Sequence, residues 1–183
     1  SAISNMIAGI VMTYMRPFKP GDRVRIGDTI GDIMEKSLLV TRIRTIKNVD
    51  VTIPNSLILN THIINYSAVS KQKGLILNTT VTIGYDVPWP QVHQALVEAA
   101  LACPKVLQEP KPFVFQTALN DFAVAYEINA YTEDANSMAQ SYSDIHTAIQ
   151  ASFKKHDIEI MSPNYMAVRD GSPSTIPEQA LPF

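Results

Sequence analysis

The chain opens on an uncharged run, residues 1–15, where Ile3, Met6, Ile7, Ile10, Val11 and Met12 are mixed with the small residues Ala2, Ala8 and Gly9. Ser4, Asn5 and Thr13 are its polar members, tolerable in a helix that faces neighbours. The run stops at Arg16-Pro17-Phe18-Lys19-Pro20-Gly21-Asp22. From there to Tyr66 the apolar positions come in short alternating stretches, the period of strands. Arg23-Val24-Arg25-Ile26 is followed by a Gly27-Asp28 turn, and Gly31 permits a bend or a close backbone approach. Residues 39–45 place Leu39, Thr41 and Ile43 on one face and Arg42 and Arg44 on the other. Lys47-Asn48 turns the chain into residues 49–53, Pro54-Asn55-Ser56 breaks that strand, and residues 62–66 form a last one. Some five short strands in about 45 residues read as a small SH3-like or Sm-like barrel.

After a junction at Lys71-Gln72-Lys73-Gly74 the order becomes strand, helix, strand, strand, helix, strand. Residues 75–83 alternate. Pro88-Trp89-Pro90 opens a helix running to about Cys103, which Pro104 ends. Phe113, Phe115, Thr117 and Leu119 share one strand face. Asn120-Asp121 turns the chain into a partner strand with Phe122, Val124, Tyr126 and Ile128. Met138, Tyr142, Ile145, Ile149 and Phe153 make the apolar stripe of a second helix, with Lys154 and Lys155 favourably at its C-terminal end. Residues 157–161 read as a closing strand. This βαββαβ order is the ferredoxin-like split unit. The expected class is α+β, divided into an opening helix (residues 1–16), the barrel (17–70), the ferredoxin-like domain (71–162) and a tail (163–183). Within the tail only residues 165–169 are strand-like, and a lone five-residue strand needs partners.

Composition sharpens this. At 183 residues and 46% hydrophobic the chain is ordinary for a globular protein. Up to Lys73 there are 10 basic and 5 acidic residues, a net +5; the remainder has 5 basic and 12 acidic, a net −7. The basic half beside an apolar stretch suggests nearness to anionic lipid or nucleic acid, whereas the acidic half argues against nucleic acid as partner of the whole chain. As a helix the opening run spans about 22 Å, short of a hydrocarbon core of about 30 Å. Its basic cluster follows the apolar run, the reverse of a signal peptide, and would hold the downstream chain on the cytoplasmic side. The run reads either as the end of a membrane helix or as a buried or docking helix.

Catalytic signatures are missing. His62, His93, His146 and His156 have no metal-ligand spacing with one another or with Cys103, and there is no HExxH, P-loop or GxSxG. No enzyme activity, metal or cofactor is expected. Glu133 and Asp134 fit a helix N-terminus better than an acid/base pair. Phe113, Phe115, Phe122 and Tyr126 invite comparison with an RNA-recognition sheet, but the Gly-aromatic signature is absent and core packing is expected for them.

Taken in order, Ala8-Gly9, Arg16-Pro17-Phe18-Lys19-Pro20-Gly21-Asp22, Gly31, Thr45, Ile53-Pro54-Asn55-Ser56 and Ile63-Ile64-Asn65-Tyr66-Ser67 resemble the small-conductance mechanosensitive (MscS-like) channel family, and residues 158–165 resemble its closing strand and linker. The resemblance implies a vestibule on the cytoplasmic side of the cell (inner) membrane, in a channel that opens under tension to release ions and small solutes on hypo-osmotic shock. It implies that Ser1 stands near the kink of the pore helix, with the gate residues upstream of it. Gly9 is then a hinge, and Arg16 and Lys19 are membrane-surface anchors. Pro17, Phe18, Pro54 and Asn55 couple helix to barrel, although plain barrel architecture explains the Pro-Asn turn equally well. Tyr165, Met166, Ala167, Val168 and Arg169 would pair with their copies in a homo-oligomer, a heptamer by resemblance. The partners implied are further copies of the chain, the lipid bilayer and permeating ions, with no nucleic acid. The other reading is a soluble Sm-like and ferredoxin-like module that binds RNA or protein.

Overall fold

A computed structural model describes residues 1–161; the strand expected at 165–169 lies outside the described residues. The chain is α+β and forms two compact units, Ser1–Leu75 with Thr132–Ala139, and Ile76–Tyr131 with the described residues from Gln140 onward.

The first unit begins with α1 (Ala2–Met15) and continues through β1 (Arg23–Ile26), β2 (Thr29–Lys36), β3 (Val40–Thr45), β4 (Asp50–Pro54), α2 (Asn55–Leu59), β5 (Ile63–Asn65) and α3 (Tyr66–Lys73). Its five strands pair antiparallel in the order β4-β3-β2-β1-β5, a succession of hairpins closed by β5 on the free side of β1. The inward positions of the alternating strands supply one core: Val24, Ile26, Ile33, Ile43 and Ile53, joined by Phe18, Ile58 and Met12. Thr41 is buried beside Ile43, and Arg42 and Arg44 point to solvent as their alternation requires. Leu39, expected on the inner face, is exposed because β3 starts one residue later, at Val40. Gly31 serves close approach rather than a bend: a Cβ there would lie 2.3 Å from the Arg44 carbonyl oxygen across the β2–β3 pair.

Two helices stand where the sequence suggested turn and strand. Pro54, extended at φ −59°, is the N-cap of the five-residue α2. Asn65 is the N-cap of α3, its side chain accepting from the Ala68 amide at 3.0 Å, so the expected strand ends one residue before Tyr66. Asn is among the strongest N-cap residues, and that signal was overshadowed by the β-branched run before it.

The second unit contains β6 (Leu75–Ile83), α4 (Trp89–Leu101), β7 (Phe113–Leu119), β8 (Val124–Thr132) and α5 (Met138–Lys155), with strand order β6-β8-β7. α4 buries Val92, Ala95, Leu96, Ala99 and Ala100, and α5 buries Ile145, Ile149 and Phe153. The Ser152 hydroxyl ties the helices together by donating to the Ala95 carbonyl at 2.8 Å. Asp134 fills the cap role expected of it, accepting from the Ser137 amide at 3.1 Å.

Residues 157–161 do not form the expected closing strand. Asp157 takes a left-handed φ of 54° in the turn after α5, and the Ile158 amide returns to the Phe153 carbonyl at 2.9 Å. The Met161 amide bonds the Thr82 carbonyl of β6 at 2.8 Å. The strand aromatics also depart from expectation. Tyr126 is buried and Phe113 half-buried, but Phe115, on the edge strand β7, and Phe122, in the turn between β7 and β8, face solvent.

Candidate functional site

The sequence-predicted functional residues of the described region converge where α1 meets the barrel. α1 presents Asn5, Ala8, Gly9 and Met12 to the rest of its unit, positions spaced three and four apart. Large apolar side chains occupy the other faces and point outward: Ile3, Met6, Ile7, Ile10 and Met15 are exposed, and Tyr14 is 92% exposed. The helix is thus inverted relative to an ordinary surface helix: apart from Met12 its docked face is small and polar, and most of its large apolar side chains are outside. Among the described residues no helix is long and apolar enough to cross a membrane.

Gly9 lies within an unbroken α1. A Cβ at this position would be 2.1 Å from the Leu38 carbonyl oxygen and 3.0 Å from Asn55 Nδ2. Helix and hairpin loop therefore meet backbone to backbone, which explains Gly9 and the adjoining Ala8.

Asn55 holds the other side of that contact. It is wholly buried. Its Nδ2 donates to the Ser37 carbonyl at 3.0 Å and the Leu38 carbonyl at 2.9 Å, its amide donates to the Leu39 carbonyl at 2.9 Å, and its Oδ1 accepts from the Thr41 hydroxyl at 3.0 Å. One side chain thus fastens the whole β2–β3 turn. Next to it the Ser56 amide donates to Asn5 Oδ1 at 2.9 Å, a direct hydrogen bond from α2 to α1. Asn5 was not singled out as functional by the sequence; its only signal was a polar residue in an apolar run.

The elbow after α1 is equally fixed. Arg16 is the C-cap in a left-handed conformation, φ 47°, ψ 56°, with its amide on the Met12 carbonyl at 2.9 Å. The Lys36 ammonium reaches the same carbonyl at 3.4 Å, a cation at the negative end of the helix. The Pro17 carbonyl accepts from Asn65 Nδ2 at 3.1 Å, and that nitrogen also donates to Asp22 Oδ2 at 2.9 Å. Asp22 Oδ2 accepts in turn from the Lys19 amide at 2.9 Å. Phe18 is sunk into the barrel core, whereas the Arg16 and Lys19 side chains stand in solvent.

Below this junction Arg23 is buried and bonds Asp32 bidentately, at 2.7 Å and 3.0 Å, across the β1–β2 pair. Asn136 Nδ2 adds a 2.7 Å bond to the same carboxylate and a 3.0 Å bond to the Gly21 carbonyl. On the outer surface the hydrogen bond between Arg44 and Asp50 holds the Asp50 carboxyl below the usual carboxylate range and raises the guanidinium. This exposed pair contributes little to stability.

Among its described residues the second unit offers no comparable constellation. A groove of about 510 Å³ runs over α4, lined by His93, Gln94, Val97, Glu98, Leu101 and Lys111. His93 packs edge-on against Trp89 and Tyr126, and burial lowers its pKa. Hydrogen bonds from Lys155 and His156 lower that of Glu98. Among the described residues no group of three or more His, Cys, Asp or Glu could hold a metal.

Two family models match the chain. Residues 1–68 match the mechanosensitive ion channel beta-domain, and residues 77–160 match the mechanosensitive ion channel MscS C-terminal domain. Among curated proteins, mechanosensitive channel MscK of Escherichia coli is 27% identical over 156 residues, 85% of this chain and 14% of that protein. Large-conductance mechanosensitive channel MscMJLR of Methanocaldococcus jannaschii is 25% identical over 170 residues, 89% of this chain and 46% of that protein. The chain thus spans from about a seventh to under half the length of these relatives. Among solved structures, Helicobacter pylori MscS in its closed state superposes with a TM-score of 0.73 at 19% identity, covering 92% of this chain and 66% of the other. Arabidopsis thaliana MSL1 gives 0.62 at 20% identity, covering 88% and 59%; at such identities the likeness is one of fold. With two successive domain models matched across residues 1–160 and a helix clamped to the first of them, the chain belongs to the MscS family of mechanosensitive ion channels.

Proposed function

We propose that this chain is the cytoplasmic vestibule portion of a homo-oligomeric mechanosensitive channel in the cell (inner) membrane, one that opens under tension to release ions and small solutes on hypo-osmotic shock. The observation that carries the reading is the inverted α1. Its apolar side chains face outward while its small face is locked to the barrel through Gly9, Asn5 and Asn55. A helix so mounted transmits displacement of its outer face to the body, and a body so mounted resists it. Tension supplies the differential free energy between two states that any such shift requires.

In this reading Arg16 and Lys19 sit at the headgroup level as anchors. Pro17, Phe18, Pro54 and Asn55 are the coupling between helix and barrel, and Gly9 combines close packing with a hinge that bends when the contact to Leu38 is released. Residues 165–169 pair with their copies around a symmetric, heptameric assembly. The permeating species are ions and small solutes, and neither catalysis nor nucleic acid is involved.

The test is patch-clamp recording under graded suction of the protein expressed from its whole coding sequence, with survival of hypo-osmotic shock in a channel-deficient host. Tension-gated currents and rescue are expected. A protein that reaches the membrane yet gives neither refutes the reading.

A further inference from the structure

Among the described residues, the end of the β7–β8 hairpin carries large apolar side chains that stay exposed. β7 is an edge strand, and residues 113–119 contain no charge and no proline, two of the devices that normally protect an edge. A bulge between Gln116 and Ala118 interrupts its ladder, so the exposed side chains rather than the free backbone are the feature to explain. Leu119 is 74% exposed. Phe122 is 78% exposed in the turn at residues 120–123, where Gly, Asn, Asp or Ser would ordinarily stand. Tyr85 is bound to this turn, its hydroxyl donating to the Asn120 carbonyl at 2.7 Å, and leaves its ring outside. Phe115 lies further along the same edge.

We infer that this hairpin end, Tyr85, Leu119 and Phe122 with Phe115 beside them, is a contact between copies of this chain, and the inference rests on the homo-oligomer proposed above. At about 200 Å² for a whole aromatic side chain, the exposed parts of Phe122, Tyr85 and Phe115 (78, 56 and 56%) amount to roughly 380 Å². A stable interface takes about 800 Å² from each partner, so these rings form the buried centre of such a patch, where aromatics dominate affinity. The charge on the hairpin turn is Asp121, and no cation lies between Phe113 and Tyr131. That excludes anionic headgroups and nucleic-acid phosphates as natural occupants. A ring of copies uses head-to-tail contacts, so the apolar end of one hairpin meets a different surface on the neighbour and is permanently covered, as a patch of this kind requires.

Two measurements on the protein expressed from its whole coding sequence test this. A photo-activated benzoylphenylalanine at Phe122 in native membranes is expected to give bands at multiples of the subunit mass; products with lipid or other polypeptides alone overturn the inference. The double variant Leu119→Ser, Phe122→Ser is expected to raise the concentration at which the detergent-solubilised oligomer dissociates by tenfold or more. Its melting temperature as separated subunits should match the wild type closely, because both side chains are mostly exposed. An oligomer that survives the double substitution unchanged overturns the interface and leaves the channel reading standing. A wild type that is monomeric in the membrane overturns both.

Discussion

Replacing Gly9 by alanine separates packing from flexibility. On a free helix the change stabilises by about 1 kcal/mol, the intrinsic preference for Ala over Gly. In this structure the new Cβ would be 2.1 Å from the Leu38 carbonyl oxygen. That oxygen cannot move cheaply, because it accepts from Asn55 Nδ2 at 2.9 Å, and the flanking Ser37 and Leu39 carbonyls are held by the same residue. Overpacking of this kind costs about 1–3 kcal/mol. Against a fixed backbone oxygen the cost falls at the upper end of that range, about 2–3 kcal/mol, so that after the propensity gain the net is a loss of roughly 1–2 kcal/mol in docking α1, or about 5- to 30-fold in its opening equilibrium. Amide hydrogen exchange resolves this by region. Protection of the α1 amides and of the Ser37–Leu39 turn should fall by that factor, while amides of α4 and α5 serve as an internal control. Equal or higher protection in α1 would refute the packing argument and leave bending as the sole reason for a glycine there.

Asn55→Ala should weaken the first unit by about 3 kcal/mol, because the buried Thr41 hydroxyl and the part-buried carbonyls of Ser37 and Leu38 lose their partner; a urea titration followed at barrel amide resonances reads it, and Asn55→Asp, which sets a carboxylate against two carbonyl oxygens, should be worse. The second unit should lose stability as pH falls from about 6.5, the ordinary histidine value. Burial depresses the folded pKa of His93, so the unfolded chain takes up its proton first. Melting temperatures between pH 7.5 and 5 should show the slope, and His93→Leu should flatten it.

Much of this protein is legible as pattern. The alternation at residues 23–26 and 39–45 and the i, i+3, i+4 stripe of α5 placed strands, helix and core correctly but for Leu39, because period and face are local properties of a chain. Motif order carried the family. Gly9, Asn55 and the elbow were visible as a set but not as a mechanism, since nothing local tells that Leu38 lies against Gly9 or that Asn5 meets Ser56.

The misses share one cause. The N-cap at Asn65, the helix at Asn55–Leu59 and the aborted strand at residues 157–161 are element ends, where one hydrogen bond decides between alternatives of nearly equal local energy. Phe115 and Phe122 were assigned to a core because aromatics readily fill cores, but Phe115 lies on an edge strand and Phe122 in the turn that follows it, placements that only the fold decides. What the sequence by itself determined is the α+β class, the period and face of the barrel strands and the two long helices after them, and the kinship. What only the tertiary structure decided is which face of α1 looks outward and which backbone it touches, because an apolar run with small residues on one side docks equally well either way until the partner surface is built. Here that surface is the carbonyl-lined β2–β3 turn held by Asn55, where only a small residue fits.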